Sequence, residues 1–455
     1  LDEKHNPLKK PQLIAIALAA VMVLPLNATA APPSFTQEPV ALHITSGEPR
    51  IFVDPNDPGA AGNPATVYDV WPEAGNAVAK STDGGATWSA PVTTLGGGGD
   101  ADIAIDGGGC VYVVDLFNAG SQTTKLPVSK SCGATLSFTA SAFADAGGGT
   151  LTDDRPWIAA RGTGASATVV VTESSTKVWR SVGSPMAFAL VGTIDTAGSA
   201  IQGNLVYSGS TLWNIYSNGG VITYAKSTND GTTWTKGTIA TEVLDPVLFP
   251  VIALDTSGNV YAVWTQTTNA IPLVGTPLHT EIHYSKSTNG GTTWSTPIVV
   301  SDPTRSALFP WITARSAGKV DIEYVQDNPQ VSSSIGIGPD LGLPVTQWDV
   351  ILSQSLNASA AVPSFTTVTA VKGFHTGSIC TSGLLCIGPQ NLGLGNLPTP
   401  FDRRMLDFFS IASDGLGNAL IAYGKDRPFP GILVGDLVES WIDMNVAVQS
   451  AGDRI

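Results

Sequence analysis

Apolar residues in this chain come in short bursts, each closed by a polar turn and answered by a second burst. Pro250 to Asp255 (PVIALD), the turn Thr256 to Asn259 and Val260 to Trp264 (VYAVW) show the unit most clearly. Bursts this short suit strands, and the Gly- or Asp-bearing turns between them suit antiparallel hairpins. The opening recurs as RIFVD (Arg50 to Asp54), DIAID (Asp102 to Asp106), PWIAAR (Pro156 to Arg161), NLVYS (Asn204 to Ser208), PWITAR (Pro310 to Arg315) and FSIASD (Phe409 to Asp414). The last residues of these openings are 54, 106, 161, 208, 255, 315 and 414. One period cannot bury both faces of its own sheet, so neighbouring units must pack on each other around an axis. Seven openings predict an all-β propeller of seven four-stranded antiparallel blades, with six as the alternative. Pro39 to Ile44 is a spare strand, expected to complete the last blade and close the ring.

A second repeat runs through the first. STDGGATW (Ser81 to Trp88) returns as STNDGTTW (Ser227 to Trp234) and STNGGTTW (Ser287 to Trp294). The constant residues are Ser81, Asp83, Gly85 and Trp88; Ser227, Asn229, Gly231 and Trp234; and Ser287, Asn289, Gly291 and Trp294. Gly at a fixed place allows a left-handed turn, Asp or Asn can accept stranded backbone N–H groups, and Trp supplies apolar area beside the hairpin. A weaker copy, SKSCGATL (Ser129 to Leu136), aligns Ser131 with Asp83 and Leu136 with Trp88. The three strong copies resemble the Asp-box (BNR) repeat of sialidase-like β-propellers. That resemblance implies a structural staple on the face opposite an active site, and sialidases themselves carry six blades.

The net charge of -14 with only 13% charged residues argues against a nucleic-acid partner. Lys9 and Lys10 precede an apolar run, Leu13 to Leu26, and Ala28-Thr29-Ala30 offers a cleavage site. Residues 1–30 therefore read as an export signal, with a retained anchor as the lesser alternative; 31–38 read as a linker and 39–455 as one propeller domain. Leu1 reads as an alternative start codon, pointing to a secreted or cell-surface prokaryotic protein. Four cysteines in an exported chain predict two disulfides. Cys110 opens the second strand of the unit whose hairpin holds Cys132, so this pair would staple the weak copy. Cys380 and Cys386 would close a small loop; free thiols or a metal pair are the alternative.

If the repeated hairpins join third and fourth strands, the long insertions fall on the opposite face. These are Thr265 to Thr280, Gln326 to Gln347, Lys372 to Arg404 and Lys425 to Asp436, all in blades five to seven. Apolar and Gly/Pro-rich, they predict a wall, a lid or a partner surface, including self-association. The same register puts Glu48, Asp100, Arg155, Gln202, Phe249, Phe309 and Phe408 six residues before the strand ends. Four residues before them stand Arg50, Asp102, Trp157, Asn204, Val251, Trp311 and Ser410. Polar groups in blades one to four would face aromatic ones in blades five to seven, which suits a sugar; the competing expectation is that the Trp residues fill the core.

Sialidases clamp a sugar carboxylate with three arginines. Resemblance to them maps one onto Arg50 in Glu48-Pro49-Arg50-Ile51-Phe52, without the flanking Phe and Pro of the family's motif. Arg155, Arg305 and Arg404 stand at other first strands, and Asp102 could serve as an acid by position. No Walker loop, His-Glu-x-x-His or G-x-S-x-G element is present. The five histidines show no metal-ligand spacing, so no metal or cofactor is expected, although Asp54-Pro55-Asn56-Asp57 has a composition open to Ca2+. The sequence thus predicts recognition of carbohydrate or another cell-surface polymer. An exo-sialidase using Arg50, Arg155, Arg404 and Asp102, and an assembly protein binding neighbours through its loops, are the alternatives.

Overall fold

In the computed structural model, the structure describes residues 31–44, 47–73, 75–118, 124–145, 155–183, 186–196, 200–244, 246–268, 279–328, 347–376, 379, 405, 407–426 and 442–455. Among the described residues there are seven antiparallel sheets and one short 3-10 turn, Gly164–Ser166. The first strands of blades one to seven are Arg50–Val53, Ala101–Ile105, Trp157–Arg161, Ile201–Ser208, Val251–Leu254, Ala307–Ala314 and Ser410–Ser413. Each touches the first strand of both neighbours in a closed ring, which makes the fold a seven-bladed β-propeller.

Closure comes from the strand Ser34–Ile44, which pairs antiparallel with Ile442–Ala451 as the fourth strand of blade seven. It starts at Ser34, so residues expected as linker are paired strand. The export segment 1–30 lies outside the described residues. No helix among the described residues is long and apolar enough to cross a membrane.

The three strong repeats each join the third and fourth strands of a blade. In each, the Ser hydroxyl donates to the Asp or Asn side chain two residues on and accepts the Gly N–H at 2.9 Å. Asp83, Asn229 and Asn289 also accept the backbone N–H of the Thr four residues later. The Trp88 and Trp234 indoles close the first two hairpins on the Gly85 and Gly231 carbonyls. Gly85, Gly231 and Gly291 all sit at φ 84 to 91. Each also presses on the preceding blade: a Cβ on Gly85 would meet Leu420, one on Gly231 would meet Val178, and one on Gly291 would meet Tyr224. The hairpin therefore works between blades as well as within one.

Strand register corrects the weak copy. Val111 pairs with Ser131 as Val67 pairs with Ser81, so Ser131 is the counterpart of Ser81. The buried Phe138, not Leu136, then takes the place of Trp88. Cys110 and Cys132 form the expected disulfide across this hairpin; Cys380 and Cys386 lie outside the described residues. Blade six holds a further copy that sequence matching missed. Ser355 donates to Asn357, Asn357 accepts Ser364 N–H, and the Ala358 carbonyl takes the Tyr284 hydroxyl of blade five.

The turns after the first strands form a second internal repeat. Asp106, Asp255 and Asp414 each accept the N–H groups two and four residues on, and Asp106 and Asp255 also take the hydroxyls of Tyr112 and Tyr261. This is the physical reason that Asp recurs at the strand ends. The Asp54 and Asp57 side chains hold a variant of this turn through Asn56 and Thr66. Among the described residues no group of three or more His, Cys, Asp or Glu is disposed to hold a metal ion.

Two alanine substitutions separate backbone strain from blade contact. Gly258 has φ +79 and open space, whereas a Cβ on Gly231 (φ +87) would lie 2.5 Å from Val178 Cγ1. Gly258→Ala is expected to cost about 1 kcal/mol for its left-handed backbone, and Gly231→Ala at least about 2 kcal/mol more from overpacking. Urea unfolding measures both, and equal losses would contradict a hairpin that bears on its neighbour.

Candidate functional site

The turns after first strands and the repeated hairpins share one face of the ring, the hairpin face. Connections between second and third strands, and between blades, lie on the opposite face. The described ends of all four long insertions are there: Thr267 and Thr280, Asn328 and Gln347, Thr376 and Phe408, Asp426 and Ile442. Residues 269–278, 329–346, 380–404 and 427–441, within those insertions, lie outside the described residues, Arg404 among them.

At the opposite face the axis is plugged. Trp157, Phe249, Trp311 and Phe408 converge from blades three, five, six and seven, with ring centroids 5.3 to 6.5 Å apart. The Arg155 guanidinium lies 4.5 Å from the Trp157 ring and 4.1 Å from Phe408, and Arg50 lies 4.3 Å from Trp311. Both cations are ion-paired: Arg155 Nη1 is 3.2 Å from Glu48 Oε1, and Arg50 Nε is 3.1 Å from Asp102 Oδ1. Arg155 and Glu48 are almost fully buried, and Arg155 Nη2 also donates to the Ala101 carbonyl of blade two at 2.9 Å.

The polar groups expected at the mouth thus bind blade to blade. Asp102 accepts Arg50, its neighbour Ile103 N–H and Ile158 N–H, tying blades one, two and three. Trp157 donates to the Gln202 carbonyl, while Gln202 Oε1 accepts Thr172. Asn204 exchanges two hydrogen bonds with the Ile252 backbone, and Ser410 bridges Pro49 and Ile51. Asp100 is partly buried, and its carbonyl accepts Leu116 N–H. Val251 is buried. Phe309, held at φ 58, turns toward Phe409 in the wall between blades six and seven. Arg305 faces Asp327 and Asp349 at 3.7 and 3.8 Å.

Polar groups with access to solvent on this face stand further out. In blade five, His279, Glu281 and His283 alternate on one side of the strand Thr280–Ser287 and its approach. Glu242 of blade four is 2.9 Å from His283 Nδ1 and accepts the Trp264 indole at 3.1 Å. The His283 contact holds the Glu242 carboxyl below its usual range. Glu281 faces His279 and His283 at 3.6 and 3.7 Å. His375 and Asp426 form a second pair, 2.9 Å apart, beside the insertion of blade seven.

The axis is open from the hairpin face. A cavity of about 280 Å³ runs inward from Pro55 and Arg315 to Arg50, Asn204 and Trp311. Its walls include Val53, Val206, Leu254, Ile312 and Ala412. Three residues expected at the mouth, Arg50, Asn204 and Trp311, therefore line a space reached from the other side. The signal that could have marked its rim is the hexapeptide shared by blades three and six, which ends in Arg161 and Arg315.

Ring, plug and cavity together define a seven-bladed β-propeller with an axial pocket. No protein-family model matches the chain, and no curated protein sequence matches it. Solved structures with a similar chain path include YCF48 bound to D1 peptide (TM-score 0.48, 11% identity, 92% of this chain and 98% of that one). Another is the α-L-arabinofuranosidase Arb93A of Fusarium graminearum with an iminosugar inhibitor (0.43, 10%, 92% and 97%). A third is the K499G mutant of NanB sialidase from Streptococcus pneumoniae (0.41, 11%, 96% and 73%). At this identity the likeness concerns the fold alone.

Blade six carries buried acids behind the plug. Glu323 pairs across the sheet with Trp311, is fully buried, and neither of its carboxyl oxygens has a hydrogen-bond partner among the described residues. Burial pushes its pKa well up, and burial raises Asp321 to about 7. An acid whose folded pKa is raised holds its proton in the folded state, so it subtracts stability as pH rises from the unfolded value through the folded one. Stability is therefore expected to fall between about pH 4 and pH 7. Glu323→Gln should raise it at pH 8 and change it little at pH 4. Urea midpoints across pH provide the check; an equal effect at both pH values would contradict the buried-acid account.

Proposed function

We propose that this chain is an exported Asp-box propeller that binds carbohydrate, or another cell-surface polymer, on the face opposite its repeated hairpins. The observation that carries the reading is that the described ends of four long insertions from blades five to seven lie at that one face. Beside their described ends lie partly exposed carboxylates and imidazoles, Glu242, Glu281, His279 and His283, with the indole of Trp264 beneath. Such a set can donate to and accept from sugar hydroxyls next to apolar segments.

Binding is favoured over hydrolysis by the state of the axial charges. A carboxylate clamp needs uncommitted guanidinium groups, yet Arg155 and Arg50 are paired with Glu48 and Asp102. An acid catalyst needs access to a leaving group, yet Asp102 is buried and its two oxygens already take three donors.

A glycan array carrying neutral and acidic saccharides tests the reading. Glu281→Gln with His283→Ala is expected to weaken the bound glycan at least tenfold, and a fluorogenic sialoside should not be turned over. Turnover that Arg50→Ala abolishes would replace binding with hydrolysis. Self-association that rises with concentration, with no glycan retained, would replace it with assembly.

A further inference from the structure

Blades three and six begin alike, Pro156 to Arg161 (PWIAAR) and Pro310 to Arg315 (PWITAR). Both tryptophans enter the plug; Arg161 ends its first strand and Arg315 immediately follows its own, both on the hairpin face. Arg161 has a carboxylate. Its Nε and Nη2 donate to the two oxygens of Asp230 at 2.8 and 2.7 Å, a bidentate clamp onto the hairpin of the next blade, and Tyr207 adds a third bond at 2.9 Å. Asp230 sits at φ 53 where the other two hairpins have Gly84 and Gly290, so this carboxylate is held there against backbone strain.

Arg315 meets a different neighbour. The third and fourth strands of blade seven, Ile442–Ala451 and Ser34–Ile44, are not joined by a hairpin, since the fourth precedes the first in the chain. Among the described residues no carboxylate lies within ion-pair distance of its side chain. Ser413 occupies the register of Tyr207 and bonds sideways to Thr313. The Arg315 side chain is partly exposed and makes no hydrogen bond or ion pair among the described residues. It lines the rim of the axial cavity. At the inner end, Arg50 uses Nε on Asp102 and Nη1 on the Ile51 carbonyl, which leaves Nη2 unpaired among the described residues.

We propose that the axial cavity on the hairpin face is a binding site for a small carboxylate with an apolar body, clamped by Arg315. The walls of Val206, Leu254 and Ile312 take the apolar part, and the planar guanidinium takes both oxygens of the acid as Arg161 does. The charge is supplied as a free acid or at the end of a peptide; the chemistry recognised is the same. The site is independent of the glycan reading, because it opens on the other face.

Calorimetric titration of wild-type protein with 4-methylpentanoate, with its amide, and with a short peptide ending in leucine, free or amidated, tests the proposal. At least one acid is expected to bind at least tenfold more tightly than its amide, and the tighter acid names the source. Arg315→Met should remove that preference and leave both the melting temperature and glycan binding unchanged, and Arg315→Lys should keep part of it. The proposal is overturned if neither acid binds, if acid and amide bind alike, or if Arg315→Met binds as wild type does. The comparison of acid with amide needs no variant, so a substitution that impaired folding would still leave the proposal open to refutation.

Discussion

No blade of this protein can stand without its neighbours, and that constraint shapes the rest. A four-stranded sheet with apolar residues on both faces must bury both, and the ring does so by laying each blade on the next. The seam is closed by a strand from the start of the chain pairing with the last third strand. The repeated hairpins serve the same need from outside. Gly85, Gly231 and Gly291 are glycines both because the turn is left-handed and because the preceding blade occupies the place of a Cβ. Lys80 and Lys226 extend the contact forward, donating to Ala134 and Gly290 in the hairpin of the following blade.

The axis shows the same constraint at close quarters. Seven first strands leave a central space that must be filled or left to solvent. Toward the opposite face it is filled by four aromatic rings and two ion pairs, and toward the hairpin face it stays open. Charges in so apolar a place are tolerable only when paired. The pairing of Arg155 with Glu48 and Arg50 with Asp102 is what allows charged residues there, and it leaves neither guanidinium wholly uncommitted. The opposite face is left with its peripheral groups and the described ends of its insertions.

The fold was legible in the sequence because its signals are local. An Asp at the end of a first strand organises the turn that follows it, so the marker recurs with the blades. Likewise, the Ser, Asp or Asn, and Gly of the hairpin bond within one another's reach. The weak copy was misaligned by two residues because letter matching followed Ser and Gly, whereas register follows strand pairing; Lys130-Ser131, matching Lys80-Ser81, was the better guide. The blade-six hairpin escaped notice because Ser355 and Asn357 lack the Gly and Trp that follow in the others. At the axis the positions were readable but the partners were not. Glu48 meets Arg155, and Arg50 meets Asp102, across distances in sequence that no local pattern encodes.

Pseudo-symmetry then becomes a way of finding function. In a ring of similar blades, most repeated residues meet repeated partners, and those pairs explain their own recurrence. A repeated residue whose partner is missing is different, because its environment no longer accounts for it. Blade seven is where this must occur, since its fourth strand comes from the other end of the chain and brings no hairpin. Arg315 faces that break, while its twin Arg161 shows what the same side chain does when a carboxylate is present. The interruption that closes the ring thus leaves an arginine at the mouth of an axial space that the plug does not fill.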